Sequence, residues 1–249
     1  MRKRQIIAMG GGGFTATPDN PVLERYIVAQ SGKKRPKVCF IGTATGDADV
    51  YVAKFYAAFA KIGCQPTHLS FFTRTPDLKK LLLSQDVIYV GGGNTKSMLA
   101  VWDEWGIPTL LRQAWRKGIV LAGVSAGAIC WFKMGVTDSW AGHLAALPCL
   151  GFLPGTCCPH FDSEAERRPT LHRLVASREL PAAVALDDGA AAHYVDGHLF
   201  RVVSAKPKAL GYNVRHRGSL AIETSIPVTR LARTGRPLVA KPSRQSSAR

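Results

Sequence analysis

The sequence predicts a doubly wound α/β fold on a mainly parallel sheet, and three observations carry that expectation. Short apolar runs such as Lys37 to Ile41 and Asp86 to Val90 alternate with longer segments of helical character, joined by brief loops. That alternation is the mark of a parallel sheet covered on both faces. One run, Ile119 to Ala122, feeds straight into Gly123-Val124-Ser125-Ala126-Gly127, the spacing of a sharp strand-to-helix turn that lifts a serine out of a sheet. Finally, 249 residues with 46% hydrophobic and 20% charged content suit one large domain with a substantial core.

Taken in order, Gln5 to Met9 reads as the first strand, followed by the glycine run Gly10 to Gly13. Asn20 and Pro21 resemble an N-cap and first helical position for a helix reaching Ser31. After the second strand, Lys37 to Ile41, Asp47 or Asp49 caps an alanine-rich helix to Lys61, closed by Gly63. A third strand spans Thr67 to Phe71, and Thr75-Pro76-Asp77 opens a short helix to Leu83. The strand Asp86 to Val90 turns through Gly91-Gly92-Gly93-Asn94-Thr95 into a helix ending at Trp105. Pro108 starts another helix to Lys117 before the serine-bearing turn.

Beyond Phe132 the alternation loosens, and Thr137-Asp138-Ser139 reads as irregular. A strand over Thr156 to Pro159 ends at His160, a helix covers Glu164 to Ser177, and Val184 to Leu186 runs into Asp187-Asp188-Gly189. Ala191 to Val195 and Leu199 to Val203 form a C-terminal β-hairpin around Asp196-Gly197. The domain is expected over residues 1–223, with a basic tail over 224–249 whose end, Ser243 to Arg249, is expected to be disordered.

Composition excludes several function classes. No apolar run reaches the roughly 18–20 residues of a membrane span. The basic start is followed only by Ile6 to Met9 before four glycines, too short for a signal peptide, so a cytoplasmic protein is expected. Six scattered cysteines fit small buried hydrophobes in a reducing compartment. Cys157-Cys158-Pro159-His160 lacks a second ligand pair at zinc spacing, so no metal is expected. Gly11-x-Gly13-x-x-Ala16 formally matches a dinucleotide fingerprint, but Pro18 interrupts the helix it needs and the second strand ends in Gly42-Thr43 rather than an acid. The glycines there predict a close backbone approach, and no cofactor. The net charge of +16 is concentrated on turns and the tail, where it predicts salt-sensitive affinity for polyanions and no specific nucleic-acid binding. A monomer and a homodimer both remain open.

A serine hydroxyl at the tip of such a turn needs a base, an orienting group for that base and donors for an oxyanion. Among seven histidines, His160 stands out because it ends a short apolar strand, where open α/β sheets gather their ligands. Asp138 and Asp188 are both candidates to orient it, with Asp162 a third. The Ala126 amide follows from the turn itself, and the Gly91 to Gly93 turn ends a neighbouring strand.

Gly91-Gly-Gly-Asn-Thr95, Gly123-x-Ser125-Ala-Gly-Ala128, Cys158-Pro-His160-Phe-Asp162 and Leu186-Asp-Asp-Gly-Ala190 together resemble the peptidase E (aspartyl dipeptidase) family of serine peptidases, related to cyanophycinases, over roughly residues 5–205. The resemblance implies a flavodoxin-like sheet akin to class I glutamine amidotransferases. It further implies Ser125 as nucleophile, His160 as base, and Gly92 with Ala126 as the oxyanion hole. The third member divides the family: aspartyl dipeptidases point to Asp138, the preferred choice, and cyanophycinase-like members to Asp188. Cleavage of short peptides, often beside aspartate, is also implied. An acidic substrate calls for a cation, and Arg167, Arg168 and Arg173 are the candidates. An esterase or amidase with the same machinery, and an inactive binding protein, are the rival expectations.

Overall fold

The computed structural model describes residues 3–19 and 21–238. Five strands, β1 (Gln5–Met9), β2 (Lys37–Ile41), β3 (Gln65–Leu69), β4 (Val87–Val90) and β5 (Val120–Val124), lie parallel in the order β1-β5-β4-β2-β3. Helices α1 (Val22–Ala29), α2 (Asp49–Lys61), α3 (Leu78–Leu83), α4 (Thr95–Glu104) and α5 (Ile107–Arg116) make the crossovers. The chain continues through α6 (Ala126–Ile129), β6 (Phe132–Thr137), β7 (Ala145–Pro148), β8 (Leu153–Cys158), α7 (Arg167–Ala176) and β9 (Ala183–Leu186). It then forms β10 (Ala190–Val195), β11 (His198–Ser204), β12 (Gly211–Arg217), β13 (Leu220–Ile226) and β14 (Val228–Arg230). Among the described residues no helix is long and apolar enough to cross a membrane.

The expected β10–β11 hairpin is present, and it extends the parallel core: β10 pairs antiparallel with β1, and β14 pairs parallel with β11. A second, six-stranded sheet, ordered β13-β12-β9-β8-β6-β7, was not expected. Its strands β12 (GYNVRHR) and β13 (LAIETSI) are polar and largely uncovered, so they lack the apolar run that betrays a strand buried on both faces. The boundary at residue 224 is corrected for the same reason. Residues 224–226 complete β13, β14 follows at once, and Leu231 is buried. The stretch expected to be disordered, 243–249, and the proposed cap Asn20 lie outside the described residues.

Burial explains why the parallel strands register as they do. Alternate residues face opposite sides: Ile6, Ala8, Cys39, Ile41, Ile88 and Val90 join one apolar cluster with Met98, Trp102 and Leu111. Ile7, Met9, Val38, Phe40, Val87 and Tyr89 join another with Ile27, Phe55 and Phe59. Helices α1 and α2 therefore cover one face, and α4 and α5 the other. Caps set two of the entry points: Asp77 accepts from Lys80 N at 2.9 Å and Asn94 from Ser97 N at 2.9 Å. Neither Asp47 nor Asp49 caps α2. Asp47 instead accepts from Phe71 N at 2.6 Å, tying the loop after β2 to the loop after β3. β3 itself begins two residues earlier than expected, because Gln65 to Leu69 pairs with all of β2.

The glycine turn after β1 is anchored from below by Glu24 of α1. Its Oε1 accepts the Phe14 amide at 2.7 Å, while Oε2 is buried with no partner among the described residues. Burial pushes this carboxyl up to about 7, against the two backbone hydrogen bonds that favour its charge. A carboxyl held above its unfolded value supports folding fully at low pH, and that support is lost as pH rises through the window from 4.5 to about 7. Glu24→Gln keeps an acceptor for Phe14 and carries no charge. Denaturant melts should therefore show the variant gaining up to about 3 kcal/mol on the parent between pH 4.5 and pH 8, and parallel pH profiles would refute the assignment.

Candidate active site

The elbow after β5 is strained where the sequence pattern requires it. Ser125 has φ 56° and ψ −114°, a region closed to most L-residues. Its carbonyl accepts from Ala128 N at 2.8 Å and Ile129 N at 2.9 Å, which starts α6 immediately. The flanking glycines are dictated by crowding: a Cβ on Gly123 would lie 2.4 Å from the Gly127 carbonyl oxygen, and one on Gly127 would lie 2.2 Å from that of Val90. The Ser125 hydroxyl caps no amide of α6.

Two more strand ends deliver the other groups. His160 follows β8 with φ 54°, and Asp188 follows β9. His160 Nδ1 lies 2.7 Å from Asp188 Oδ1, with both side chains about a quarter exposed (21% and 25%). The hydrogen bond from His160 holds the Asp188 carboxyl below its ordinary value, with burial opposing. An ionised carboxylate only accepts, so Nδ1 carries the proton, and in the neutral imidazole Nε2 is the nitrogen with the lone pair. Asp162 Oδ1 in turn accepts the Asp188 amide at 2.8 Å.

These elements meet at the end of β1. Three successive carbonyls, those of Met9, Gly10 and Gly11, accept from Ser125 N (3.2 Å), His160 N (3.1 Å) and Gly189 N (3.0 Å). A Cβ on Gly11 would fall 1.8 Å from Asp188 Oδ1 and 2.6 Å from His160 Nδ1. The close approach expected of these glycines is thus real, and what approaches is the histidine–aspartate pair.

The family model of "Peptidase family S51" matches residues 6–202. A Bacillus subtilis (strain 168) protein described as uncharacterized peptidase YgaJ is 49% identical over 226 residues, covering 90% of this chain and 98% of that protein. The chain belongs to peptidase family S51. It is a serine peptidase of the peptidase E family, as the resemblance implied. The fold agrees with a solved peptidase from an acI-B1 Actinobacterium (TM-score 0.67, 16% identity, 90% of this chain and 95% of that one). It also agrees with a protein from Listeria monocytogenes EGD-e that carries the peptidase E name (TM-score 0.60, 18% identity, 82% of this chain and 100% of that one).

Within this S51 peptidase several expected residues stand elsewhere. Asp138, the preferred orienting group, is exposed, and its Oδ1 lies 3.8 Å from Arg167 Nη2; the carboxylate on His160 is Asp188. The reason is strand order: β9 lies beside β8, so the residues following both emerge together. Arg167 is buried, donating to Glu164 Oε2 at 2.6 Å and to the Val136 carbonyl at 2.8 Å. Arg168 pairs with Glu223 and stacks over Phe161 (4.3 Å) and Tyr212 (5.0 Å). Both are engaged by partners within the chain, Arg167 while buried and Arg168 while partly exposed. Arg173 is exposed and lines a cavity of about 540 Å³ with Asp138, Trp140, His143, Glu164 and Glu166. The Ala126 amide opens α6 as expected, but Gly92 N–H is already donated, to the Tyr51 hydroxyl at 3.1 Å.

Sequence reasoning did not single out Tyr51, and nothing in an alanine-rich helix marks it. The structure predicts that a downfield imidazole proton of His160 persists in Asp138→Asn and disappears in Asp188→Asn and Gly11→Ala; NMR showing the reverse for the two aspartates would refute the pairing.

Proposed function

We propose that the protein cleaves short peptides through an acyl-enzyme formed on Ser125. Ser125 Oγ attacks the scissile carbonyl as His160 Nε2 takes its proton. Asp188 holds the imidazole in the tautomer that leaves Nε2 free and stabilises the imidazolium that forms. The Ala126 amide donates to the developing oxyanion. The imidazolium then protonates the leaving amine, and water activated by the same nitrogen releases the acid product. The observation that carries this reading is the triple anchoring of Ser125, His160 and the Asp188–Gly189 turn on consecutive carbonyls of one loop, which supports a fixed spacing among the three.

The substrate preference follows less directly. A preference for aspartate beside the scissile bond needs an available cation, and of the three arginines after His160 only Arg173 is uncommitted to a side-chain partner among the described residues and faces a cavity. Aspartyl dipeptides are therefore the first substrates to try, with Arg173→Ala expected to raise KM and spare kcat if this arginine holds the acidic group.

A fluorophosphonate probe tests the mechanism without a known substrate. The intact protein should be labelled, and Ser125→Ala should not. Asp188→Asn should slow labelling by roughly 10³–10⁴-fold, and Asp138→Asn should stay within a few-fold of the parent. Absence of labelling in the intact protein, or equal loss in the two aspartate variants, would overturn the reading. Turnover of simple esters with none of aspartyl or other short peptides would assign the same machinery to a different acyl substrate.

A further inference from the structure

The Gly92 amide, expected to serve the oxyanion directly, points at a phenol. Gly92 N donates to Tyr51 Oη at 3.1 Å, and that amide is the one hydrogen-bond partner of the hydroxyl among the described residues. The glycine itself is pressed onto the nucleophile: a Cβ built on Gly92 would lie 3.2 Å from Ser125 Cβ and 3.8 Å from Ser125 Oγ. Tyr51 sits in the first turn of α2, and its ring is gripped by Phe40 (centroids 4.9 Å apart, edge on) and Phe14 (5.5 Å). A Cβ on Gly91 would meet Tyr51 Cε1 at 2.9 Å, so the ring also packs directly beneath the glycine turn. The hydroxyl is therefore held by packing as well as by its hydrogen bond, and its residue is only partly exposed.

The geometry points to Tyr51 as a further catalytic residue, whose hydroxyl accepts from Gly92 N–H and donates its own hydrogen to the substrate oxygen that gains charge beside Ser125. A phenol can do both at once. A donor that itself accepts a hydrogen bond is polarised by it, so the amide strengthens the phenol's bond to the oxyanion. Burial pushes the phenol's pKa up and keeps it protonated, as a donor must be. The oxyanion pocket would then be the Ala126 amide on one side and a Gly92–Tyr51 relay on the other.

This inference rests on Ser125 as nucleophile, and the fluorophosphonate probe separates the two, since the phosphonyl oxygen of the adduct occupies the oxyanion position. Labelling rates are compared for the parent, Ser125→Ala, Tyr51→Phe and a protein carrying 3-fluorotyrosine at position 51. A relay predicts that Tyr51→Phe labels roughly 100-fold more slowly with unchanged apparent probe affinity and an unchanged circular dichroism spectrum. The fluorinated phenol, a better donor and a weaker acceptor, should match or exceed the parent. An unchanged rate in Tyr51→Phe would make the ring mere packing, and a faster one would make the hydroxyl a placeholder for the substrate; either overturns the proposal while leaving Ser125 in place. A slower rate with fluorotyrosine would mean the hydroxyl acts only as an acceptor fixing Gly92, which also overturns it. A parent that takes no label removes the nucleophile, and the relay with it.

Discussion

Three peptide carbonyls in a row hold this site together. Met9, Gly10 and Gly11 leave the end of β1 and each receives an amide from a different part of the chain: Ser125 after β5, His160 after β8 and Gly189 after β9. Consecutive units of one backbone sit about 3.8 Å apart, Cα to Cα, and the dihedrals of the loop aim each carbonyl. Groups hung on consecutive carbonyls inherit that spacing without any side chain having to enforce it. This brings the backbones of a serine and a histidine, far apart in sequence, onto one loop, and it explains why position 11 of that loop is glycine. Any side chain at Gly11 would occupy the space of the His160–Asp188 contact.

The loop can serve as a gauge only because what lies on either side of it is rigid. On one side, β1 is buried throughout its apolar residues and flanked by β5 and β10. Below, Glu24 fastens the Phe14 amide to α1. On the other side stands the second sheet, where β8 and β9 pair in parallel and α7 packs against β12 and β13, its Leu171, Leu174 and Val175 sharing one apolar cluster with Cys158, Ala183 and Ala185. The parallel core thus carries Ser125 and the second sheet His160 and Asp188, and the β1 loop is where the two sheets share hydrogen bonds. Two of the site residues, Ser125 and His160, have positive φ. Strain of that kind persists only where the surroundings over-determine the conformation, and here each strained residue has its amide claimed by the same loop.

How much of this could be read in the sequence follows from how local each signal is. The elbow was legible because its requirements are all within one turn: small residues on both flanks and a buried strand before it. The parallel strands were legible because burial on both faces leaves an unbroken apolar run. His160 was legible as the end of such a run. The partner of His160 was not, since Asp138 and Asp188 differ only in which strand precedes them, and that β9 neighbours β8 is a fact of strand order that no local pattern encodes. The arginines misled for a related reason. Arg167 and Arg168 follow His160 closely in the chain, but their neighbours in space, Glu164, the Val136 carbonyl and Glu223, include groups from β6 and β13 of the unexpected sheet. The glycine run after β1 was recognised as a place of close approach, while the group approaching it lies some 150 residues or more further along the chain.

Adjacent carboxylates at 187 and 188 complete the physical picture. Asp187 is buried, accepts the Leu210 amide through one oxygen and, among the described residues, leaves the other without a partner. Its pKa is raised, chiefly by burial, whereas that of Asp188 is lowered, chiefly by the hydrogen bond from His160. Neighbours in sequence are thus pushed in opposite directions, the arrangement by which two like groups acquire different tasks. The Leu210 amide, which ties that loop to the end of β9, opposes the rise by favouring the charged form of Asp187. An acid that ionises readily suits Asp188 to bearing the charge a protonated imidazole needs. The charges of Asp162 and Asp188 add to the rise at Asp187, because like charges nearby disfavour ionisation.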